Sequence, residues 1–144
     1  MTIREATRAD LPHIVVMGLH FLRASEYTGK IQENPDAMFD LALRLIESVD
    51  GIIFVDGDAK PTGMIGLHLY QHPMSGEVIT SELFWWVEPD HRGSGMDLLK
   101  AAERWAKEHG SSSIQMIAPN DRVSRIYKAR GYEKTEEHYQ KVIT

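Results

Sequence analysis

The sequence has no cysteine in its 144 residues. No disulfide, thiolate nucleophile or cysteine-based metal site can form. This leaves the compartment open, since a reducing cytosol permits thiols without requiring them. No apolar run reaches the roughly 20 residues needed to span a bilayer. Met1 to Asp10 is mostly polar, carries both charge signs and lacks the apolar centre of a secretory leader. The default expectation is a cytoplasmic protein without a membrane partner. Positive charge is in deficit, 16 Lys and Arg against 21 Asp and Glu, for a net charge of -5. That disfavours nonspecific nucleic-acid binding and mildly favours a cationic substrate. The seven histidines are scattered and no His-Glu-x-x-His pattern occurs, so no metal site is expected. Repeats, low-complexity tracts and long linkers are also missing. The length suits one domain over 1–144 with a substantial core.

What is present reads as a packed α+β domain. Hydrophobic residues make up 42% and charged residues 26%, fractions that argue against disorder. Leu11, Ile14, Val15, Leu19 and Leu22 recur at helical spacing behind Thr7, a candidate cap. A second helix starts at Asn34 and Pro35, with Met38, Leu41, Leu45 and Ile46 on its apolar stripe. The polar segment from Ser25 to Glu33 between them is placed to shape a substrate mouth. Strands are expected over Gly51 to Val55, Gly63 to Tyr70 and Val78 to Val87, joined closely enough to form an antiparallel meander. The period then changes. Leu98, Leu99, Ala102, Trp105 and Ala106 mark a helix that Gly110 stops. Ile114 to Ala118 follows as a strand, which makes a parallel crossover. Asn120 or Asp121 caps a short helix ending at Gly131, and Tyr139 to Ile143 is a candidate last strand.

The motif that carries chemistry is Val87-Glu88-Pro89-Asp90-His91-Arg92-Gly93-Ser94-Gly95-Met96-Asp97. A strand runs into a glycine-bearing turn that opens a helix. Backbone N–H groups at a helix start bind anions, and the helix dipole assists. Gly93 and Gly95 allow close approach or unusual backbone angles, and Arg92 can add charge-assisted bonds to phosphate. A nucleoside-triphosphate loop is disfavoured, because no Gly-Lys-Ser/Thr follows. A dinucleotide fold is disfavoured because the turn follows a meander rather than a first strand.

This segment resembles the acyl-CoA-binding motif of the GNAT N-acetyltransferase family, Arg/Gln-x-x-Gly-x-Gly/Ala. Arg92 and Gly95 fit it. Asp97 stands where the family usually has a small residue, and an aspartate there repels phosphate or serves the helix start instead. The block Asn120-Asp121-Arg122-Val123-Ser124-Arg125-Ile126-Tyr127, with Gly131-Tyr132 after it, resembles the family's second motif. The resemblance covers nearly the whole chain. It implies a mixed, mostly antiparallel sheet of about six to seven strands flanked by about four helices. It further implies direct acetyl transfer from acetyl-CoA to a primary amine of a small molecule or peptide, in a ternary complex, and a possible homodimer.

The resemblance also implies roles. Arg92, Gly93, Ser94, Gly95, Met96 and Asp97 border the pyrophosphate. Backbone groups at Trp86 and Val87 hold the pantetheine and polarise the thioester, beside a strand bulge whose gap Trp85 and Trp86 line. Asn120 lies near the pantetheine arm. Tyr127 lies near the sulfur and protonates the departing thiolate, a step a neutral phenol can perform; the bland role for Tyr127 is packing. Tyr132 packs in the core or lines the channel. An amine must lose a proton to attack a thioester, and Glu82 is the leading base. In a regular strand Glu82, Phe84 and Trp86 share one face, opposite Ser81, Leu83, Trp85 and Val87, and a carboxylate beside aromatic rings has a raised pKa. His68 is a second candidate and His72 a weaker one. Two other readings stay open: a non-catalytic acyl-CoA-binding or regulatory domain, and a partner-binding module without a cofactor.

Overall fold

The longest alternating segment, Val78–Val87, forms the strand around which the chain is arranged. The structure, a computed structural model, describes residues 2–144. In chain order the elements are β1 (Ile3–Glu5), α1 (Leu11–Ala24), α2 (Pro35–Glu47), β2 (Gly51–Asp56), β3 (Gly63–Gln71), β4 (Val78–Val87), α3 (Gly95–Glu108), β5 (Ser113–Gln115) and α4 (Asp121–Ala129). Among the described residues the strands form one sheet of five, ordered β1-β2-β3-β4-β5. The first four run antiparallel, and β5 joins β4 in parallel through the α3 crossover. The α+β fold and its meander thus stand as expected.

Each face of the sheet buries its own apolar cluster. On one face Ile14 and Met17 of α1 and Ala42 and Leu45 of α2 pack on Ile53, Val55, Met64, Phe84 and Trp86. On the other, Leu98, Ala102 and Trp105 of α3 pack on Ile65, Leu67 and Val87. Fully burying one such leucine stabilises the fold by about 1.5–3 kcal/mol. The α2 start is as expected: Asn34 Oδ1 accepts from Ala37 N at 3.1 Å, and Pro35 takes the first helical position. Gly18, awkward inside α1, lies against the end of the Met38 side chain of α2. A Cβ there would sit 1.6 Å from Met38 Cε of α2.

Three expectations need correction. β5 is shorter than the run Ile114 to Ala118, because pairing with β4 stops at Ser81–Gln115. Tyr139 to Ile143 forms no strand, so the sheet has five strands rather than six or seven. Its alternation is faulty: Lys141 falls on the same side as Tyr139 and Ile143, and all three are exposed. Third, the face assignment made for a regular β4 fails, because the strand carries a bulge of the kind the resemblance implies. Gly66 pairs with Phe84 while Leu67 pairs with Glu82, so Leu83 is an extra residue, a β-bulge. The bulge moves Glu82 off the face of Phe84 and Trp86 and onto the face of Leu67, Trp85 and Val87.

Candidate active site

Glu82 sits where β4 and β5 part. Beyond Gln115 the ladder offers no partner for the next β5-side amide, and the Glu82 side chain takes its place. Its Oε1 accepts from Ile117 N at 3.2 Å. This explains both the short strand and a buried carboxylate, 6% exposed. Tyr127 of α4 closes the same spot, its hydroxyl donating to Ile117 O at 3.1 Å. The residues named from sequence as base and acid are therefore brought together on the backbone of one residue, Ile117. Burial pushes the Glu82 carboxyl up to about 7, against the partial relief of the Ile117 amide and the Tyr127 hydroxyl. Burial raises the Tyr127 phenol well above its ordinary value, and the nearby Glu82 charge raises it further. The phenol is thus a neutral donor at any physiological pH.

The glycine turn lies at the other end of the same face. Pro89–Ser94 forms a 3-10 turn that runs directly into α3. Ser94 is buried and its Oγ donates to His91 O at 3.2 Å, so no side chain caps the start of α3. Neither Gly93 nor Gly95 has a positive φ, so the glycines provide close approach rather than unusual angles. A Cβ at Gly93 would meet nothing within 4 Å, whereas one at Gly95 would lie 3.5 Å from Trp85 Cζ2. Met96 and Asp97 form the first turn of α3. Trp85 links the two ends of the site. Its ring lies under Gly95 and also 5.9 Å from the Tyr127 ring.

Trp86 faces the other way. Its ring packs edge-on against Phe21 of α1 at 6.1 Å, and its Nε1 donates to Glu88 Oε1 at 2.8 Å. Only the Trp86 backbone remains available on the Glu82 face. Glu88 also binds His20 Nδ1 of α1 at 2.9 Å. The His20 and Trp86 bonds hold its carboxyl below the usual range despite its partial burial. Arg92 folds back over the Trp86 ring, 4.8 Å from its centroid, with Nε donating to Val87 O at 2.7 Å. The guanidinium is thus anchored at the strand end. This His20–Glu88–Trp86–Arg92 chain was not read from the sequence; the contact from His20 to Glu88 spans 68 residues and has no local signal.

Other candidates fall elsewhere. His68 pairs with Ser81, on the sheet face opposite Glu82, and stacks on Tyr70. Burial and the Arg44 charge lower its pKa. His72 accepts from Met74 N at 3.1 Å, within its own turn. Asn120 Oδ1 caps α4 by accepting from Val123 N at 3.0 Å. The Tyr132 ring lies tilted against Tyr127, 5.2 Å between centroids, and its hydroxyl donates to Glu103 Oε2 at 2.9 Å, which ties the end of α4 to α3 together with the Arg130–Glu103 pair. A groove of 580 Å³ between β2 and the end of α3, floored by Ile52, Phe54 and Trp105, shares no residue with this site.

The sequence model of the Acetyltransferase (GNAT) family matches residues 18–132. No curated protein sequence matches the chain. Among solved structures, a transcriptional regulator from Bacillus halodurans superposes with a TM-score of 0.79 at 21% identity, over 97% of each chain. An aminoglycoside 6'-N-acetyltransferase from Acinetobacter haemolyticus superposes at 0.72 with 19% identity over 100% of both chains. An aminoglycoside N-acetyltransferase in complex with CoA superposes at 0.73 with 19% identity, over 97% of this chain and 93% of that one. At these identities the structures share the fold.

Proposed function

The chain belongs to the GNAT acetyltransferase family, and from this premise we propose that it transfers an acetyl group from acetyl-CoA to a primary amine of a small molecule or peptide. Acyl transfer is the chemistry of the family. The observation that carries the finer reading is the meeting of Glu82 and Tyr127 on the backbone N–H and C=O of Ile117.

The residues at the glycine turn fit an acyl-CoA. Gly93 leaves open space, no side chain caps α3, and the Trp85 indole N–H is the single buried side-chain polar atom without a partner among the described residues. When bound, the group supplies an activated thioester. Gly93, Ser94, Gly95 and Met96 would cradle its pyrophosphate, with Arg92 anchored beside them, and the Trp86 and Val87 backbone would hold its arm. Asn120 keeps its amide NH2 for that arm while its oxygen caps α4. Asp97 opposes the binding through its charge. Glu82 takes the proton from the attacking amine, directly or through water, as its pKa near neutrality suits a base. Tyr127 O–H donates to the departing sulfur. His68 is less well placed for the base role, since it lies across the sheet from Tyr127.

The acceptor class follows only broadly. Two neighbours are aminoglycoside acetyltransferases, and the net charge of -5 suits a cationic amine. The test is thiol release from acetyl-CoA over a panel of amino sugars, polyamines, amino acids and peptides. Thiol release that depends on an amine supports the reading. Saturable acetyl-CoA binding without turnover on any amine would leave the non-catalytic alternative in its place.

A further inference from the structure

The unpartnered indole N–H of Trp85 needs an explanation. Buried polar groups in folded proteins nearly always find a partner, and leaving one unpaired is costly. Trp85 Nε1 is buried and bonds to nothing among the described residues. The neighbouring tryptophan gives an internal contrast, since Trp86 Nε1 is satisfied by Glu88 at 2.8 Å. The atom Cζ2 of Trp85 lies 3.5 Å from the position a Cβ would take on Gly95. In an indole, Cζ2 is bonded to Cε2, which bears Nε1. Nε1 therefore lies two bonds from the ring atom nearest the glycine turn. The ring also neighbours Tyr127, 5.9 Å between centroids.

We propose that the Trp85 indole N–H is a binding donor for a pyrophosphate oxygen of the acyl-CoA, completing the set of backbone donors at the Pro89–Ser94 turn. This rests on the acyl-CoA reading above and adds a residue to it. A neutral donor suits the place. It adds a directional bond to phosphate, and the ring gives the turn a rigid floor. Because Nε1 is sealed from water in this structure, the phosphate reaches it when the turn above shifts. Such a shift would act on a turn that already leaves the helical region at His91, with φ of -127° and ψ of 18°. Gly93 adds no side chain to obstruct it. The unpaired donor thus destabilises the unliganded turn and is satisfied on binding, so ligand and turn order together.

The experiment uses the full chain, with CoA, ADP and pantetheine as probes. Trp85→Phe keeps an aromatic ring in the floor and removes the N–H together with part of the indole's bulk. Calorimetry should show CoA and ADP affinity reduced about tenfold, the worth of one good hydrogen bond, and pantetheine affinity unchanged. In 15N-labelled wild type, the Trp85 indole proton, assigned through its through-space contacts to the neighbouring Tyr127 ring, should move downfield with ADP. That measurement stands even where the variant folds poorly. Reduced CoA affinity with unchanged ADP affinity would assign the donor to the pantetheine arm and overturn the phosphate assignment. Unchanged affinity for both, with a stationary indole signal, would return Trp85 to a packing role. If wild type binds neither CoA nor ADP, the acyl-CoA reading falls and this one with it.

Discussion

Glu82 is held by opposing influences, and their balance sets its chemistry. Burial raises its pKa to about 7 from the ordinary 4.5, while the Ile117 amide and Tyr127 hydroxyl pull it down. The folded state then binds the Glu82 proton more tightly than the unfolded state. Its contribution to stability is intact below about 4.5 and is lost as pH rises through about 7. Glu82→Gln keeps an acceptor for Ile117 N and carries no charge. At pH 8 it should raise stability by up to about 3 kcal/mol, and at pH 4 by almost nothing. Denaturant melts at the two pH values check this, and an equal effect at both would contradict the raised pKa. The same variant should lower kcat about 100-fold and erase an inflection near pH 7 in the rate profile; a retained inflection would remove Glu82 as base. Tyr127→Phe should slow turnover about tenfold or more with little change in acetyl-CoA affinity, and an intact rate would leave Tyr127 a packing role. Asp97→Asn should tighten CoA binding severalfold and cost about 0.3–1 kcal/mol of stability by removing an acidic group from the first turn of α3. Calorimetry and thermal melts separate these two effects. As candidates, these residues were legible in the sequence. Their surroundings were not, because Glu82 meets Ile117 across 35 residues, at a place set by where a ladder ends.

At the scale of elements, the β4 bulge decides which side chains share a space. Strict alternation put Glu82 with Phe84 and Trp86; one extra residue, Leu83, puts it with Trp85 and Tyr127. Nothing in Ser81-Glu82-Leu83-Phe84 announces this. A bulge is a property of two strands, and its signal lies in the partner, at Gly66. A Cβ on Gly66 would fall 2.3 Å from Phe84 Cζ, so the glycine makes room for the ring that the bulge turns inward. Gly66→Ala should therefore destabilise by about 1–3 kcal/mol through overpacking. Because it disturbs the strand that carries Glu82, it should also reduce turnover. Gly18→Ala is the control. Its nominal clash is closer, 1.6 Å, but with the terminal methyl of Met38. That group can swing aside, and alanine is the better helix former by roughly 0.5–1 kcal/mol. Melts should show Gly18→Ala near neutral and Gly66→Ala clearly destabilised; the reverse order would contradict this account of β4.

For the whole molecule, the order of elements was readable because each is marked locally, by a cap, a period or a glycine. The two ends of the sheet differ in this respect. β1 is short, but its place is secured by tertiary bonds: Arg4 Nη1 and Nη2 hold both oxygens of buried Asp10, at 2.8 and 2.9 Å. The C-terminal end has no comparable tie. After Tyr132, the segment 133–144 contains no helix or strand and is exposed throughout. Its polar contacts are local, the Lys134–Glu137 pair and Tyr139 Oη donating to Glu137 Oε2 at 2.6 Å. The expected last strand failed for this reason: a strand needs a ladder, and Lys141 interrupts the one apolar side this segment has to bury. Exposed local ion pairs add little to stability. A chain ending at Tyr132 keeps both apolar clusters, the Glu82–Tyr127 contact and the tie from Tyr132 to Glu103. Its melting temperature and CoA affinity should match those of the full chain. A large loss of either would mean that the tail pairs with the free edge of β5 in solution, and a loss of turnover alone would place it over the acceptor.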